Sequence, residues 1–343
     1  MIIVMQLGAT APQIEAVCEA IRDRGGVEPL VLPGEDRIAI GIPAALSSDQ
    51  RLTLESVIAR MEGVSKITQT SSPYKLASLE FHPQRTTIRV KGVTIGDGSF
   101  SIMGGPCSVE SYDQFRAAAD IVKSSGAKIL RGGAFKPRTS PYSFQGLQKE
   151  GLEIIKQVAD ETDLVSISEV MSADMVGVVA EYVDILQIGA RSMQNFPLLI
   201  EAGKSGKPVF LKRGPSATVD EFLLASEYVL NEGNEKVILC ERGVLPIDRT
   251  YTRNTLDLSI VPVLKDHTHL PVMVDPSHGT GVARYVLPMA KAALVIGADG
   301  VMIEMHPDPG AALSDGSQAL NAQEYQDVVG EIQKLATALG VAQ

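Results

Sequence analysis

The feature that most restricts this chain is a rhythm that begins near residue 100. Eight short apolar runs alternate with stretches of helical periodicity: SIMGG (101–105), KILRGG (128–133), LVSISEV (164–170), ILQIGA (185–190), PVFLKR (208–213), VILCERG (237–243), PVMVDPS (271–277) and GVMIEMH (300–306). The runs are continuously apolar rather than alternating, as strands covered on both faces must be. Eight consecutive strand–helix units predict a closed (β/α)8 TIM barrel, because an open doubly wound sheet rarely carries so many. Just before them, TIRV and VTIG flank Lys91-Gly92, which predicts a small hairpin over 87–96 that caps the barrel's bottom.

A barrel of this kind uses about 250 residues, and the chain has 343. The surplus lies at the front. IIVMQ (2–6) is a short apolar strand; residues 11–24 place Ile14, Val17, Cys18 and Ile21 at helical spacing, and Gly25-Gly26 ends that helix. VEPLVL (27–32) and RIAIGI (37–42) are strands, residues 48–62 a second helix with Leu52, Val57, Ile58 and Met61 inward, and SKITQT (65–70) a fourth strand. The order β-α-β-β-α-β is that of a ferredoxin-like domain. The expected division is a ferredoxin-like or ACT-like domain over 1–70, a linker over 71–85, and the barrel over 86–343 with its hairpin at 86–99.

Charge narrows the partners. Lys and Arg total 31 against 41 Asp and Glu, a net charge of −10. Such a chain is a poor binder of nucleic acid or anionic membranes, although local clusters decide whether it binds small anions. Three widely spaced cysteines, Cys18, Cys107 and Cys240, make no disulfide framework. The N-terminus has neither a basic segment nor a long apolar run, and no stretch reaches the roughly 18 apolar residues of a membrane span. A soluble, cytoplasmic protein is expected.

Barrel chemistry gathers where strands end at their C-termini. Here those ends carry Cys107; Arg131, Lys136, Arg138 and Thr139; Glu169; Gln187 and Arg191; Lys212 and Arg213; Glu241 and Arg242; Asp275 and His278; Glu304 and His306. Two groups separate. Arg131, Lys136, Arg138, Arg191, Lys212 and Arg242 would converge on one mouth, and so many cations call for an anionic ligand such as two phosphates, or a phosphate with a carboxylate. Closure of the barrel brings strands 7, 8 and 1 together, and with them Cys107, His278 and Glu304. Asp308 and Asp315 in the following loop are both candidates for a fourth ligand. A thiolate, an imidazole and two carboxylates suit Mn²⁺, Fe²⁺, Co²⁺ or Zn²⁺. Cys18 and Cys240 fit buried core positions.

The segments GGPCS (104–108), LRGGAFKPRTSPYSFQG (130–146), IGARSMQN (188–195), LKRG (211–214), LCERG (239–243), VDPSHGTG (274–281) and IEMHPDPGAALSDG (303–316) resemble 3-deoxy-D-arabino-heptulosonate 7-phosphate (DAHP) synthases. The resemblance covers roughly 86–340, and the front domain is similar to the ferredoxin-like regulatory extension of one subgroup. It implies condensation of phosphoenolpyruvate with erythrose 4-phosphate and water, releasing phosphate, as the first step of the shikimate pathway. It implies a divalent metal on Cys107, His278, Glu304 and Asp315, Asp315 being chosen over Asp308 on the family's pattern alone. Lys136, Cys107 and His278 are then the catalytic set. The implied substrate-binding set is Arg131, Lys136, Pro137, Arg138, Thr139, Glu169, Gln187, Ala190, Arg191, Lys212, Glu241, Arg242 and Asp275. The proton for the new alkoxide would come from Lys136 or from a metal-bound water.

A related family joins the same enol to arabinose 5-phosphate, giving octulosonate 8-phosphate. There the strand-2 motif reads like Lys-Ala-Asn-Arg-Ser; here Lys136-Pro137-Arg138-Thr139-Ser140 favours the four-carbon sugar. The resemblance further implies a homotetramer, and a separate small domain ahead of a barrel that already looks complete predicts feedback inhibition by an aromatic amino acid through residues 1–70.

Overall fold

The computed structural model describes residues 1–34, 37–43, 46, 48–68, 73–136, 140 and 142–342. Contacts divide the chain into two compact units, Met1–Gln84 and Arg85–Gln343.

The first unit runs β1 (Ile2–Met5), α1 (Ala11–Gly25), β2 (Leu30–Pro33), β3 (Ile38–Gly41), α2 (Ser48–Ile58) and β4 (Val64–Thr68). The strands form one antiparallel sheet in the order β2-β3-β1-β4, the ferredoxin-like arrangement. Helix α1 starts at a capping box between Thr10 and Gln13 and stops where Gly26 turns left-handed. Its Val17, Cys18 and Ile21 pack with Ile3, Met5, Ile40, Leu54 and Ile58. Two local expectations change. Leu52 is exposed, and Leu54 and Ile58 take the inward face of α2, because two residues along a helix turn a side chain most of the way to the other side. The second strand begins at Leu30 rather than Val27, directly after Pro29, which has no N–H for a ladder. Beyond the sheet, Tyr74, Ala77 and Phe81 are buried, and Phe81 lies so close over Gly41 that no Cβ would fit there.

The second unit opens with the hairpin β5 (Ile88–Val90) and β6 (Val93–Ile95). Lys91 and Gly92 both have positive φ, the two-residue turn that suits strand twist. Then follow β7 (Ser101–Gly105), α3 (Tyr112–Ser124), β8 (Ile129–Arg131), α4 (Gln148–Thr162), β9 (Val165–Val170), α5 (Val176–Tyr182), β10 (Ile185–Ile188), α6 (Phe196–Lys204), β11 (Val209–Lys212), α7 (Val219–Leu230), β12 (Val237–Glu241), α8 (Ile260–His267), β13 (Val272–Val274), α9 (Pro276–Thr280), α10 (Val286–Val295), β14 (Gly300–Glu304) and α11 (Ala322–Leu339). Strands β7 to β14 are parallel and closed, with β14 pairing to β7. This is the expected (β/α)8 barrel behind a ferredoxin-like domain.

Side chains alternate across a strand, so each barrel strand has an inner and an outer set. Met103, Ile129, Ile167, Ile185, Phe210, Ile238, Cys240, Met273 and Met302 form one cluster with Ile88 and Ile95 of the hairpin. Only the barrel interior is shared by all eight strands, so this cluster marks the inner face and the hairpin plugs its lower end. No helix of the described residues is long and apolar enough to cross a membrane.

Candidate active site

Continuing up the inner face gives the site. Two residues beyond Ile129, Ile167, Ile185, Phe210, Cys240, Met273 and Met302 stand Arg131, Glu169, Gln187, Lys212, Arg242, Asp275 and Glu304. The apolar interior therefore ends in a ring of polar side chains at the C-terminal mouth, above which lies a cavity of ≈ 470 Å³. Its walls include Arg131, Lys136, Glu169, Gln187, Ala190, Arg191, Lys212 and Arg242, together with Arg249 and Arg253 from the loop after β12.

The outer set places one expected residue off the cavity wall. Glu241, expected to bind substrate, faces away from the mouth, adjacent in sequence to the inward Cys240 and Arg242. Fully buried, it pairs with Arg213 at 3.1 Å and accepts the backbone N–H groups of Gly243 and Asp257. Arg213, adjacent to the inward Lys212, is its outward partner and also reaches Asp257 at 3.0 Å. Asp275 faces inward but lies beneath the cavity rather than on its wall. Its Oδ2 sits 2.6 Å from Lys212 Nζ and 2.8 Å from His278 Nδ1. Burial works against its charge, yet His278 and Lys212 beside it hold the carboxyl well below the usual carboxylate range. Pro137, Arg138 and Thr139 lie outside the described residues.

One corner gathers sulfur, nitrogen and oxygen. One donor atom from each of Cys107, His278, Glu304 and Asp315 lies within 4.8 Å of the others. Local sequence explains each position. Gly105, at φ +142°, passes so close to the Arg131 carbonyl that a Cβ would meet its oxygen at 2.0 Å, and this lets Pro106-Cys107 turn over the strand end. Asp275 caps a single helical turn begun by Pro276 and closed by left-handed Gly281, and that turn carries His278. Asp315 itself sits at φ +50°, a left-handed conformation that Asp tolerates better than most residues. Its Oδ2 accepts the Cys107 thiol at 3.1 Å. Asp308 is instead exposed and turned back to accept the Gly310 N–H.

These four residues fit a divalent cation. Donors about 2.0–2.3 Å from a common centre must lie within about 4.6 Å of one another, close to what is found. Glu304 Oε1 is buried and has no hydrogen-bond partner among the described residues. Burial pushes the His278 imidazole down to about 3, so its ring is neutral and has a lone pair to give. Burial pushes Glu304 up to about 7 and, with the Glu304 carboxylate, also raises the Cys107 thiol. Asp315, though partly buried, is held at about 2 by its Cys107 contact and by His278 and Arg253.

Lys136 joins the corner to the cavity. Its ammonium donates to Cys107 Sγ at 2.8 Å and to the Cys107 carbonyl at 3.0 Å. Arg131 reaches Glu304 Oε2 at 3.3 Å. Among the described residues Arg242 has no ion pair, and burial lowers its guanidinium from its ordinary value. A desolvated cation of this kind calls for an anion from outside the protein. Sequence reasoning missed Arg249 and Arg253, because they sit well beyond any strand end in a loop with no periodic signal.

Comparison with known proteins shows the family and the fold. The DAHP synthetase I family matches residues 77–339, and the DAHP synthase ferredoxin-like domain matches 1–72. The chain is 45% identical over 341 residues to a phospho-2-dehydro-3-deoxyheptonate aldolase of Thermotoga maritima, covering 99% of each. It is 32% identical over 258 residues to a 2-dehydro-3-deoxyphosphooctonate aldolase of Syntrophobacter fumaroxidans, covering 70% of this chain and 88% of that one. A crystal structure of the Thermotoga maritima DAHP synthase superposes with a TM-score of 0.79 at 43% identity, over 99% of this chain and 98% of that one. A truncated form of the Thermotoga maritima synthase superposes at 0.73 with 46% identity, over 78% of this chain and 98% of that one.

Proposed function

The chain belongs to the DAHP synthetase I family, and on that premise we propose that it condenses phosphoenolpyruvate with D-erythrose 4-phosphate and water, giving 3-deoxy-D-arabino-heptulosonate 7-phosphate and phosphate. The observation that carries the reading is the junction at Lys136. A cation-walled cavity fit for two phosphorylated substrates meets a four-donor metal corner at one ammonium.

Cys107, His278, Glu304 and Asp315 would hold the divalent metal, which when bound supplies Lewis acidity to the aldose carbonyl. Arg131, Lys136, Arg191, Lys212 and Arg242 take the carboxylate and phosphate of phosphoenolpyruvate, with Glu169, Gln187 and Ala190 shaping the wall around them. The Lys136-Pro137-Arg138-Thr139 run takes the aldose and its phosphate. The enol carbon of phosphoenolpyruvate attacks the aldose carbonyl carbon. The Lys136 ammonium lies at the corner where the new alkoxide forms and gives it a proton. Water adds at the enol-ether carbon, and phosphate leaves with C–O cleavage. Asp275 pairs with Lys212 and its Oδ2 lies 2.8 Å from His278 Nδ1, where a carboxylate orients a ligand imidazole.

The test is loss of enol absorbance with phosphoenolpyruvate and Mn²⁺, using erythrose 4-phosphate or arabinose 5-phosphate as acceptor. Turnover with erythrose 4-phosphate is expected. Turnover only with arabinose 5-phosphate would overturn this reading in favour of the octulosonate one, whose aldolases are similar to this chain at lower identity and over less of its length. For the ferredoxin-like domain the proposed role is feedback inhibition by an aromatic amino acid, in a homotetramer. A chain starting at Arg85, where the compact units divide, should stay active and lose the inhibition; inhibition that persists would put the effector site elsewhere.

A further inference from the structure

Three of the four metal donors are braced from one dipeptide that lies far from them in sequence. Arg253 Nη1 donates to Asp315 Oδ1 at 3.3 Å and to Gln318 Oε1 at 3.1 Å. Gln318, buried at 2% exposure, passes the contact on: its Nε2 donates to Glu304 Oε2 at 3.2 Å. Asn254 Nδ2 donates to the His278 carbonyl at 2.9 Å, and the Arg253 N–H to the Thr280 carbonyl at 2.8 Å, so the loop is tied to the helical turn that carries His278.

The consequence for the two carboxylates is the same. In Asp315, Oδ1 is taken by Arg253 and Oδ2 faces Cys107. In Glu304, Oε2 takes both Arg131 and Gln318, while Oε1 is left bare. Each acid therefore has one oxygen secured by an N–H donor outside the donor corner. Ligand carboxylates held in this way are oriented before the cation arrives, and such partners typically contribute about 10- to 100-fold to metal affinity. Asp315 has most need of support, since its left-handed backbone is a conformation that nearby contacts must hold in place.

We propose that Arg253 is a positioning residue for the metal centre, acting on Asp315 directly and on Glu304 through Gln318. The inference rests on the metal-site reading above and extends it to residues that touch no metal. Arg253 also forms part of the cavity wall and is 40% exposed, so one side chain spans the metal corner and the substrate space.

The experiment titrates Co²⁺ into the full-length, chelator-stripped protein and follows the thiolate-to-cobalt absorption of Cys107, which needs no turnover. Arg253→Met and Gln318→Leu are each expected to weaken cobalt binding about 10- to 100-fold, with Arg253→Lys recovering part of the loss. At saturating metal, kcat of Gln318→Leu, whose side chain is not on the cavity wall, should return toward wild type. Two substitutions on different elements guard against one failing to fold, which thermal melting reports. Wild-type cobalt affinity in either folded variant overturns the proposal, as does a lowered Tm with cobalt affinity unmoved. If the wild type binds cobalt but does not condense phosphoenolpyruvate with erythrose 4-phosphate, the functional reading falls and the bracing role is judged on the titration alone.

Discussion

The two ends of the barrel interior are built from the same strands and the same face, about 6.6 Å apart along the pleat, yet they have opposite chemistry. The lower layers, from Ile129, Phe210, Met273 and Met302 down to the hairpin's Ile88 and Ile95, are apolar and sealed. One step higher stand Arg131, Lys212, Asp275 and Glu304, all nearly or wholly buried and all ionic. The lower end stabilises the barrel by taking carbon out of water. The upper end is costly to fold, because buried charges are repaid only with good partners, and its acids are shared: Asp275 pairs with Lys212 and lies beside His278, and Glu304 pairs with Arg131 and accepts the Gln318 amide. Groups left short of partners, Arg242 and Glu304 Oε1 among them, are what an arriving anion and cation would satisfy. The comparison separates a part of the interior that holds the fold from a part that is completed by ligands.

Four substitutions would break or sharpen that separation, from the largest effect to the smallest. Cys107→Ala removes the sulfur donor from the upper end; condensation measured with Mn²⁺ should fall on the order of 10³-fold, matching the several kcal/mol of a lost Lewis acid, with little change in Tm. Phe210→Ala strikes the lower end. It should cost about 3–5 kcal/mol in denaturant unfolding while the folded enzyme keeps its KM for phosphoenolpyruvate. Arg242→Met tests whether this guanidinium, which has no ion pair among the described residues, exists for substrate. KM for phosphoenolpyruvate should rise about 10- to 100-fold, as expected for losing a charged hydrogen-bonding partner, and Tm should hold or rise because a desolvated charge has gone. A fall in Tm with KM unchanged would make Arg242 structural. Glu241→Gln, on the outer face, should lower stability by about 1–3 kcal/mol through its weakened hold on Arg213 and leave KM unmoved; a raised KM would return Glu241 to the substrate set.

Much of this was legible in the residue string. Continuously apolar runs at a regular spacing point to strands covered on both faces, and eight in succession favour closure over an open doubly wound sheet. Closure in turn brings Cys107, His278 and Glu304 to adjacent strands, as β13, β14 and β7 are. The ferredoxin-like order was readable for the same reason, since short apolar segments punctuated by glycine and proline leave few pairings. Leu52 was misread because leucines at 52 and 54 both suit a helix, and only packing selects between them.

Phase is what the string left open. Lys212-Arg213 and Glu241-Arg242 are adjacent pairs of ionic residues at strand ends, and alternation guarantees only that one of each pair faces inward. Which one does depends on how each strand is staggered in the closed barrel, and the barrel turns Lys212 and Arg242 in and Arg213 and Glu241 out. Contacts across distant loops were equally invisible. Asp308 and Asp315 are equivalent as letters, but the loop after β14 carries Asp315 to Cys107 and turns Asp308 to its own backbone. Arg253 and Gln318 are 65 residues apart, with no periodicity to link them. The amino-acid sequence by itself determined the architecture and the inventory of donors, because burial and period are local properties of the chain. Only the tertiary structure decided which donors meet, because that depends on strand stagger and loop path, which closing the barrel sets all at once.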